Sequence, residues 1–275
     1  MVNFEEQCHV LITTYSKQPY NILTERGNSA IHAALFLVKQ LGCTSILVPD
    51  QGGWLTFASL SKELGLDVQT VSTDKGLLSE KSFSSVGVDR KSALLFTTLA
   101  GYFARQDTDL IERCCKQKNI FIIEDCSGVL NGDFFPIGNI LVASFGRHKL
   151  INNFHGGFVG FQEHEYLDIL KEHHIMEKIS PHNMDYQKLN TSLKKADQRY
   201  AFLVNKCNEI KNDLASYAVV HRDKEGIVVV VEENEEQKIE QLKKYCAEKK
   251  LEFTLCPREI RMNHQGISIE VKRLE

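Results

Sequence analysis

The chain has no apolar run approaching the roughly 18 residues that span a bilayer, which argues against a transmembrane helix. It also has no Cys-x-x-Cys pair. The eight cysteines, Cys8, Cys43, Cys114, Cys115, Cys126, Cys207, Cys246 and Cys256, are dispersed. That spacing suits neither a zinc site nor a disulfide framework, so reduced thiols and no metal are expected. Proline is scarce at five and glycine stands at seventeen in 275 residues, which excludes a collagen-like or low-complexity chain. A surplus of one charge is missing too. The 33 Lys and Arg against 36 Asp and Glu leave a net charge of −3, which argues against nucleic acid or an anionic membrane as a partner. The opening MVNFEEQCHVLITTYSK carries early glutamates and no signal-like apolar stretch. A soluble, cytoplasmic protein is expected. What is present is ordinary: 43% hydrophobic and 25% charged residues, enough for a substantial core.

From about residue 20 to 160 the pattern alternates between helix and strand. Residues 29–41 place Ile31, Ala34, Leu35 and Val38 at helical spacing. SILVP (45–49) reads as a buried strand, residues 54–65 as a helix stopped by Gly65, and LDVQTV (66–71) as an alternating strand. SALLFTT (92–98), IFIIED (120–125), ILVASF (140–145) and GGFVGF (156–161) add strands, and Asp107 or Thr108 can cap a helix through DLIERCCKQK. Apolar strands separated by helices predict an α/β fold with a mostly parallel sheet, whose ligands sit beyond the carboxyl ends of the strands. Residues 162–215 read as helical, with one long helix over 196–214. The last sixty residues give a β-α-β-β order: strands at 226–233, 251–255 and 266–271 around a charged helix at 234–250. A Glu240/Lys244 pair at i, i+4 is expected on that helix, as part of a solvated face. The adjacent His173 and His174 read as surface residues. The expected division is a large α/β domain over 1–195 and a small C-terminal α+β domain over 196–275.

Three segments carry candidate chemistry. In ERGNSAIHAAL (25–35), Gly27 and Asn28 precede a helix, so free amides and the helix dipole offer an anion site, to which Asn28 and Ser29 can add hydrogen bonds. An ordinary N-cap is the plainer reading of that segment taken alone. In NIFIIEDCSGVLNGD (119–133), an apolar strand delivers Glu124 and Asp125 to the ligand edge of the sheet. A carboxylate there binds a metal, a ribose or a protonated ring nitrogen, or simply caps a turn. In ILVASFGRHKLINNFHGGFVGF (140–161), a strand delivers Ser144 and, after a short turn, Lys149. A lysine of restricted solvation attacks carbonyls as the free amine, although most lysines are merely surface residues. A phosphate cradle, a carboxylate and a lysine on one sheet edge are the three things pyridoxal 5′-phosphate requires. Trp54, the only tryptophan, follows strand 45–49 and is a candidate platform for the cofactor ring.

On these segments the chain resembles the DegT/DnrJ/EryC1/StrS aminotransferases, a sugar-aminotransferase branch of the fold-type I pyridoxal-phosphate enzymes. GNSAIHAAL (27–35) is similar to the family's phosphate segment, ILVPDQGGWLTFASL (46–60) to its strand-then-aromatic stretch, and AGYFARQD (100–107) to its Tyr-Gly-any-Pro-Ala stretch. EDCSG (124–128) matches its Glu-Asp-Ala-Ala-Gln segment, SFGRHK (144–149) its Ser-Phe-any-any-any-Lys motif, and FHGG (154–157) its Gly-Glu-Gly-Gly. The resemblance covers 25–161 in unbroken order. It implies that Lys149 is the Schiff-base lysine and moves the proton during catalysis, and that Asp125 pairs with the pyridine nitrogen. Trp54 would stack on the ring, while Gly27, Asn28, Ser144 and the amide of Ser29 hold the phosphate. It implies a homodimer, a small amino donor, and a keto-sugar or nucleotide-sugar carbonyl as acceptor.

The sequence also departs from that pattern. Gly128 stands where the family has Gln, so a contact near the cofactor's ring oxygen is missing, and His155 replaces the Glu before Gly-Gly. Two glycines precede Trp54, and PHNMDY (181–186) is at best a remnant of the family's Asn-any-Arg-Met region. The chain is short for the family, and these losses fall on the substrate side of the site. They leave two alternatives beside the aminotransferase: another reaction on the same fold (lyase, desulfurase or epimerase), or a non-catalytic homologue that binds or regulates. Cys126, beside Asp125, invites a desulfurase reading, but a small packing residue is the simpler account.

Overall fold

A computed structural model describes residues 3–84, 86–87 and 91–274. Helix α1 (Phe4–Ser16) and strand β1 (Tyr20–Thr24) lead into α2 (Gly27–Gln40), β2 (Ser45–Pro49), α3 (Phe57–Glu63), β3 (Asp67–Val71) and the short α4 (Glu80–Ser84). Strand β4 (Ser92–Thr97) is followed by a small hairpin of β5 (Leu99–Ala100) and β6 (Ala104–Arg105), then α5 (Thr108–Gln117), β7 (Phe121–Asp125), β8 (Ile140–Ser144) and β9 (Gly157–Phe161). Seven of these strands form one sheet in the order β1-β9-β8-β7-β4-β2-β3. Only β9 runs against its neighbours; β3, β2, β4, β7 and β8 are mutually parallel.

Period-two alternation sends successive side chains to opposite faces, so the near-continuous apolar runs imply cover on both. Ala93 and Leu95 of β4 join Ala34, Leu35 and Val38 of α2 on one face. Leu94 and Phe96 join Ile111 and Cys115 of α5 on the other. The mostly parallel α/β expectation holds, and the predicted strands of this sheet fall within a residue or two of the observed ones, whereas the strand expected at 226–233 begins only at Val229. Asp107 is the N-cap of α5, accepting from the Leu110 amide at 3.0 Å.

Helices α6 (His164–Glu172), α7 (Ile175–Ile179), α8 (Tyr186–Lys194) and α9 (Ala196–Asp213) lead to a second, antiparallel sheet. Its strands β10 (Ala218–Val219), β11 (Val229–Glu232), β12 (Phe253–Cys256) and β13 (Gly266–Ile269) lie in the order β10-β11-β13-β12, with α10 (Glu236–Glu248) between β11 and β12. Several expectations change. The helix placed at 54–65 starts only at Phe57, because Trp54 lies in the turn before it. On α10, Glu240 pairs with Lys243 at 2.6 Å, not Lys244. His173 and His174 occupy the break between α6 and α7, exposed as expected, with His174 against Glu177. Helix α1 and strands β1 and β10 were not anticipated. All eight cysteines are free and buried. No helix among the described residues is long and apolar enough to cross a membrane, and none of them form a metal-binding cluster.

Candidate active site

The carboxyl ends of β7 and β8 and the start of α2 meet at a cavity of about 400 Å³. Gly27, Asn28, Trp54, Asp125, Ser144 and Lys149 all line it. Ser29 lies in the first turn of α2 but is not among the lining residues.

Helix α2 opens without a side-chain cap: Arg26 holds the N-cap position in an extended conformation and makes no capping hydrogen bond. The first amides of a helix have no intrahelical acceptor, so an uncapped start facing a cavity favours an anion. This start also packs tightly on the end of β8. A Cβ at Gly27 would lie 2.6 Å from the Ser144 Cβ and 3.0 Å from its hydroxyl. Glycine is therefore required for the close approach, not for an unusual turn. The Ser144 hydroxyl accepts from the Gly146 amide at 3.2 Å.

The Asn28 side chain also reaches the aromatic platform. Its side-chain oxygen accepts from the Trp54 indole at 2.8 Å and from the Thr56 hydroxyl at 3.3 Å. That side chain thus fixes the aromatic platform, while the Asn28 backbone amide stays at the open helix end. The two glycines before Trp54 are absorbed by packing. Gly52 has φ +78, and a Cβ there would lie 3.0 Å from the Gly76 Cα. Its carbonyl accepts from the Gly101 amide at 2.7 Å.

Glu124 and Asp125 part ways at the end of β7. Glu124 is fully buried and accepts from the Thr98 hydroxyl and the Ile137 and Gly138 amides at 2.8–2.9 Å, which ties down a loop. Asp125 faces the cavity. The Ser127 hydroxyl and amide donate to its Oδ1 at 2.5 and 2.9 Å, and no hydrogen bond among the described residues reaches Oδ2. Burial pushes the Asp125 carboxyl above its ordinary range, and the positive charge of Lys149 works against that rise. The Ser127 hydroxyl also accepts from the Ser144 amide at 2.8 Å, so one side chain braces both the carboxylate and the phosphate end. The sequence reading missed Ser127, although a serine two residues past an aspartate is a familiar turn signal.

Lys149 follows the turn that begins at Gly146. Its amine lies 4.8 Å from the Trp54 ring centroid and donates to the Tyr102 hydroxyl, a contact the sequence reading also missed. His155 lines the cavity and its Nε2 donates to the Asn183 carbonyl at 2.6 Å, so the 181–186 segment packs at the mouth. Cys126 points into the core with its thiol against the Val142 carbonyl. Burial, with Glu124 and Asp125 nearby, drives that thiol well up, the opposite of an activated thiolate.

The DegT/DnrJ/EryC1/StrS aminotransferase family model matches residues 2–200. The chain belongs to this family. Its cofactor is therefore pyridoxal 5′-phosphate. A second model, the MJ1341 family C-terminal domain, matches residues 197–275. No curated protein matched the sequence. Among solved structures, 3-amino-5-hydroxybenzoic acid (AHBA) synthase superposes with a TM-score of 0.74 at 15% identity, covering 100% of this chain and 87% of that one. A putative sugar aminotransferase from Streptococcus pneumoniae gives 0.73 at 12%, covering 98% and 86%. Helicobacter pylori PseC, an aminotransferase of pseudoaminic acid biosynthesis, gives 0.71 at 13%, covering 98% and 86%. At such identities the structural matches establish the fold, which is that of the fold-type I enzymes. The cavity fits the cofactor: an uncapped helix start with no room for a Cβ at Gly27, a buried carboxylate with one unbonded oxygen, and an amine beside an aromatic plane.

Proposed function

We propose that the protein is a pyridoxal-phosphate aminotransferase. It would transfer an amino group from a small amino donor to the carbonyl of a keto-sugar or nucleotide-sugar-like acceptor. The observation that carries this reading is the convergence of Lys149, Asp125 and the uncapped α2 start on one cavity. The bound cofactor supplies an electron sink for the substrate α-carbon and a carrier for the amino group. Lys149 would hold it as a Schiff base and, once displaced, move the proton at the α-carbon. Asp125 would pair with the pyridine nitrogen, and a cation there would in turn favour the ionised carboxylate that burial alone disfavours. Trp54 would support the ring. The amides of Gly27, Asn28 and Ser29 and the Ser144 hydroxyl would hold the phosphate. The family resemblance supports a homodimer, and the likeness to the putative sugar aminotransferase and to PseC supports a sugar acceptor.

The test is optical and chemical. Purified protein with cofactor should absorb in the visible, and borohydride should fix the cofactor to Lys149 in a form that mass spectrometry locates. Lys149→Ala should lose both signals and at least 10³-fold of activity, about 4 kcal/mol of barrier. Glutamate should convert the bound cofactor to its amine form and release 2-oxoglutarate. A wild-type protein that stays colourless with added cofactor would count against the whole reading. A coloured protein that converts no amino donor from a panel would count against transamination alone.

A further inference from the structure

Tyr102 is the hydrogen-bond partner of the Lys149 amine. It sits in the turn of the β5–β6 hairpin with a left-handed backbone, φ +67, and is 3% exposed. Its backbone is tied at both ends: the Tyr102 amide donates to the Leu99 carbonyl at 3.0 Å, and its carbonyl accepts from the Ile227 amide at 2.8 Å. Three basic side chains surround the ring, and of these Lys272 is pushed down to about 7 by burial and by the charges of Arg261 and Lys149. Lys149 and Lys272 place their amines 4.8 and 4.6 Å from its centroid, and the Arg261 guanidinium lies at 5.4 Å. Such contacts favour the ring electrostatically. Lys272 also donates to the carbonyl of His148, the residue before Lys149, at 3.3 Å.

Gly128 completes the arrangement. A Cβ there would lie 3.1 Å from the Tyr102 Cδ1 and 3.1 Å from the Leu99 Cδ1. A glycine at 128 and a tyrosine at 102 therefore share one space, and a long side chain at 128 would displace the ring. A buried phenol hydroxyl needs a polar partner. Here that partner is an amine on a flexible four-carbon stem, which is costly to hold in one rotamer without help.

We propose that Tyr102 is a positioning residue for Lys149, seated by Gly128 and by Arg261 and Lys272 from the C-terminal region, and that its hydroxyl fixes the amine that would carry the cofactor. This rests on the reading of Lys149 as the cofactor-bearing lysine. The test compares wild type with Tyr102→Phe, which keeps the ring and removes only the hydroxyl. Cofactor is added to the cofactor-free protein, and growth of the visible band and its circular dichroism are followed, with thermal melts as a folding control. The expected result is unchanged melting, attachment slowed about tenfold, the equivalent of one hydrogen bond, and weakened visible dichroism. Attachment at or above the wild-type rate overturns the proposal and leaves Tyr102 a packing residue. A wild-type protein that forms no band overturns the functional reading and this proposal with it.

Discussion

Asp125 is under opposing demands. The role proposed for it at the pyridine nitrogen requires a carboxylate, yet its site disfavours one in the cofactor-free protein, because burial raises its proton affinity more than Lys149 and Ser127 lower it. With the folded-state value above the ordinary 3.8, its contribution to stability is present below 3.8 and is lost as pH rises through the folded value. At pH 7, well above the ordinary 3.8, the site's preference for the protonated side chain therefore works against the fold. Asp125→Asn should make the cofactor-free protein melt higher than wild type at pH 7, with the gap narrowing toward pH 3. The same change should weaken cofactor binding about 10- to 100-fold, the worth of a charge-assisted hydrogen bond of roughly 1.5–3 kcal/mol. Melting curves at the two pH values and a cofactor titration check both halves; a variant that melts lower at pH 7 would contradict the argument. At this scale, Asp125, Ser144 and Lys149 were legible because a strand end or the short turn after it announces them in the sequence. Tyr102 was not, because its contact with Lys149 spans 47 residues and depends on a left-handed turn that no local pattern marks.

Among the elements, the β12–β13 hairpin is locked by an ion pair that reaches back toward the site. Arg261 binds Glu270 through both carboxylate oxygens, at 2.8–3.2 Å, and Ser268 and Thr254 add hydroxyl donors to the same carboxylate. Burial alone would raise Glu270, but Arg261, Lys272 and Ser268 together outweigh it and hold the carboxyl at about 2. A depressed carboxylate contributes stability above its ordinary 4.5 and loses it as pH falls through about 2. Arg261→Met strands the buried charge, so a loss of about 3–5 kcal/mol is expected at pH 7, shrinking as pH falls from 4.5 toward 2. Urea denaturation at pH 7 and pH 3 measures the difference, and an equal loss at both would exclude the ionic account. Element boundaries were legible where burial was two-sided: β4 and β7 read as strands because both faces are covered. Helix α1 was missed although its signals exist. Asn3 caps it by accepting from the Glu6 amide at 3.2 Å, and Cys8, Ile12 and Tyr15 bury one face at helical spacing. Those apolar positions are sparse among polar ones, and only the packing of α1 against α8 makes them a core face. Strand β10, two residues long, carries too little pattern to be read at all.

At the scale of the whole molecule, we propose a division into a cofactor region over 1–195 and a C-terminal region over 196–275, supported by the start of α9 at Ala196 and the second family match over 197–275. This would be a division of labour more than of folding. One hydrophobic cluster runs from Cys8 and Ile12 of α1, through Phe145 and Phe158 of the large sheet, to Leu203 and Ile210 of α9 and Val230 and Ile267 of the small sheet. Backbone hydrogen bonds cross the same boundary: the Arg105 amide donates to the Glu225 carbonyl at 2.8 Å, and the Gly52 amide to the Glu259 carbonyl at 2.7 Å. The hydrogen bond from the Ile227 amide to the Tyr102 carbonyl and the contact among Tyr102, Arg261 and Lys272 add further crossings beside Lys149. Regions that share a core and a hydrogen-bond network cannot unfold independently without exposing both. The cofactor-free protein should therefore melt in one transition, with the calorimetric enthalpy equal to the van't Hoff enthalpy. Residues 1–195 expressed alone should fail to give a soluble folded species, because the exposed side of the shared core would be left in water. Two resolved calorimetric transitions, or a 1–195 fragment with a sharp melt of its own, would show instead that the regions fold separately and that the Tyr102 contact is a docking surface laid over two finished domains.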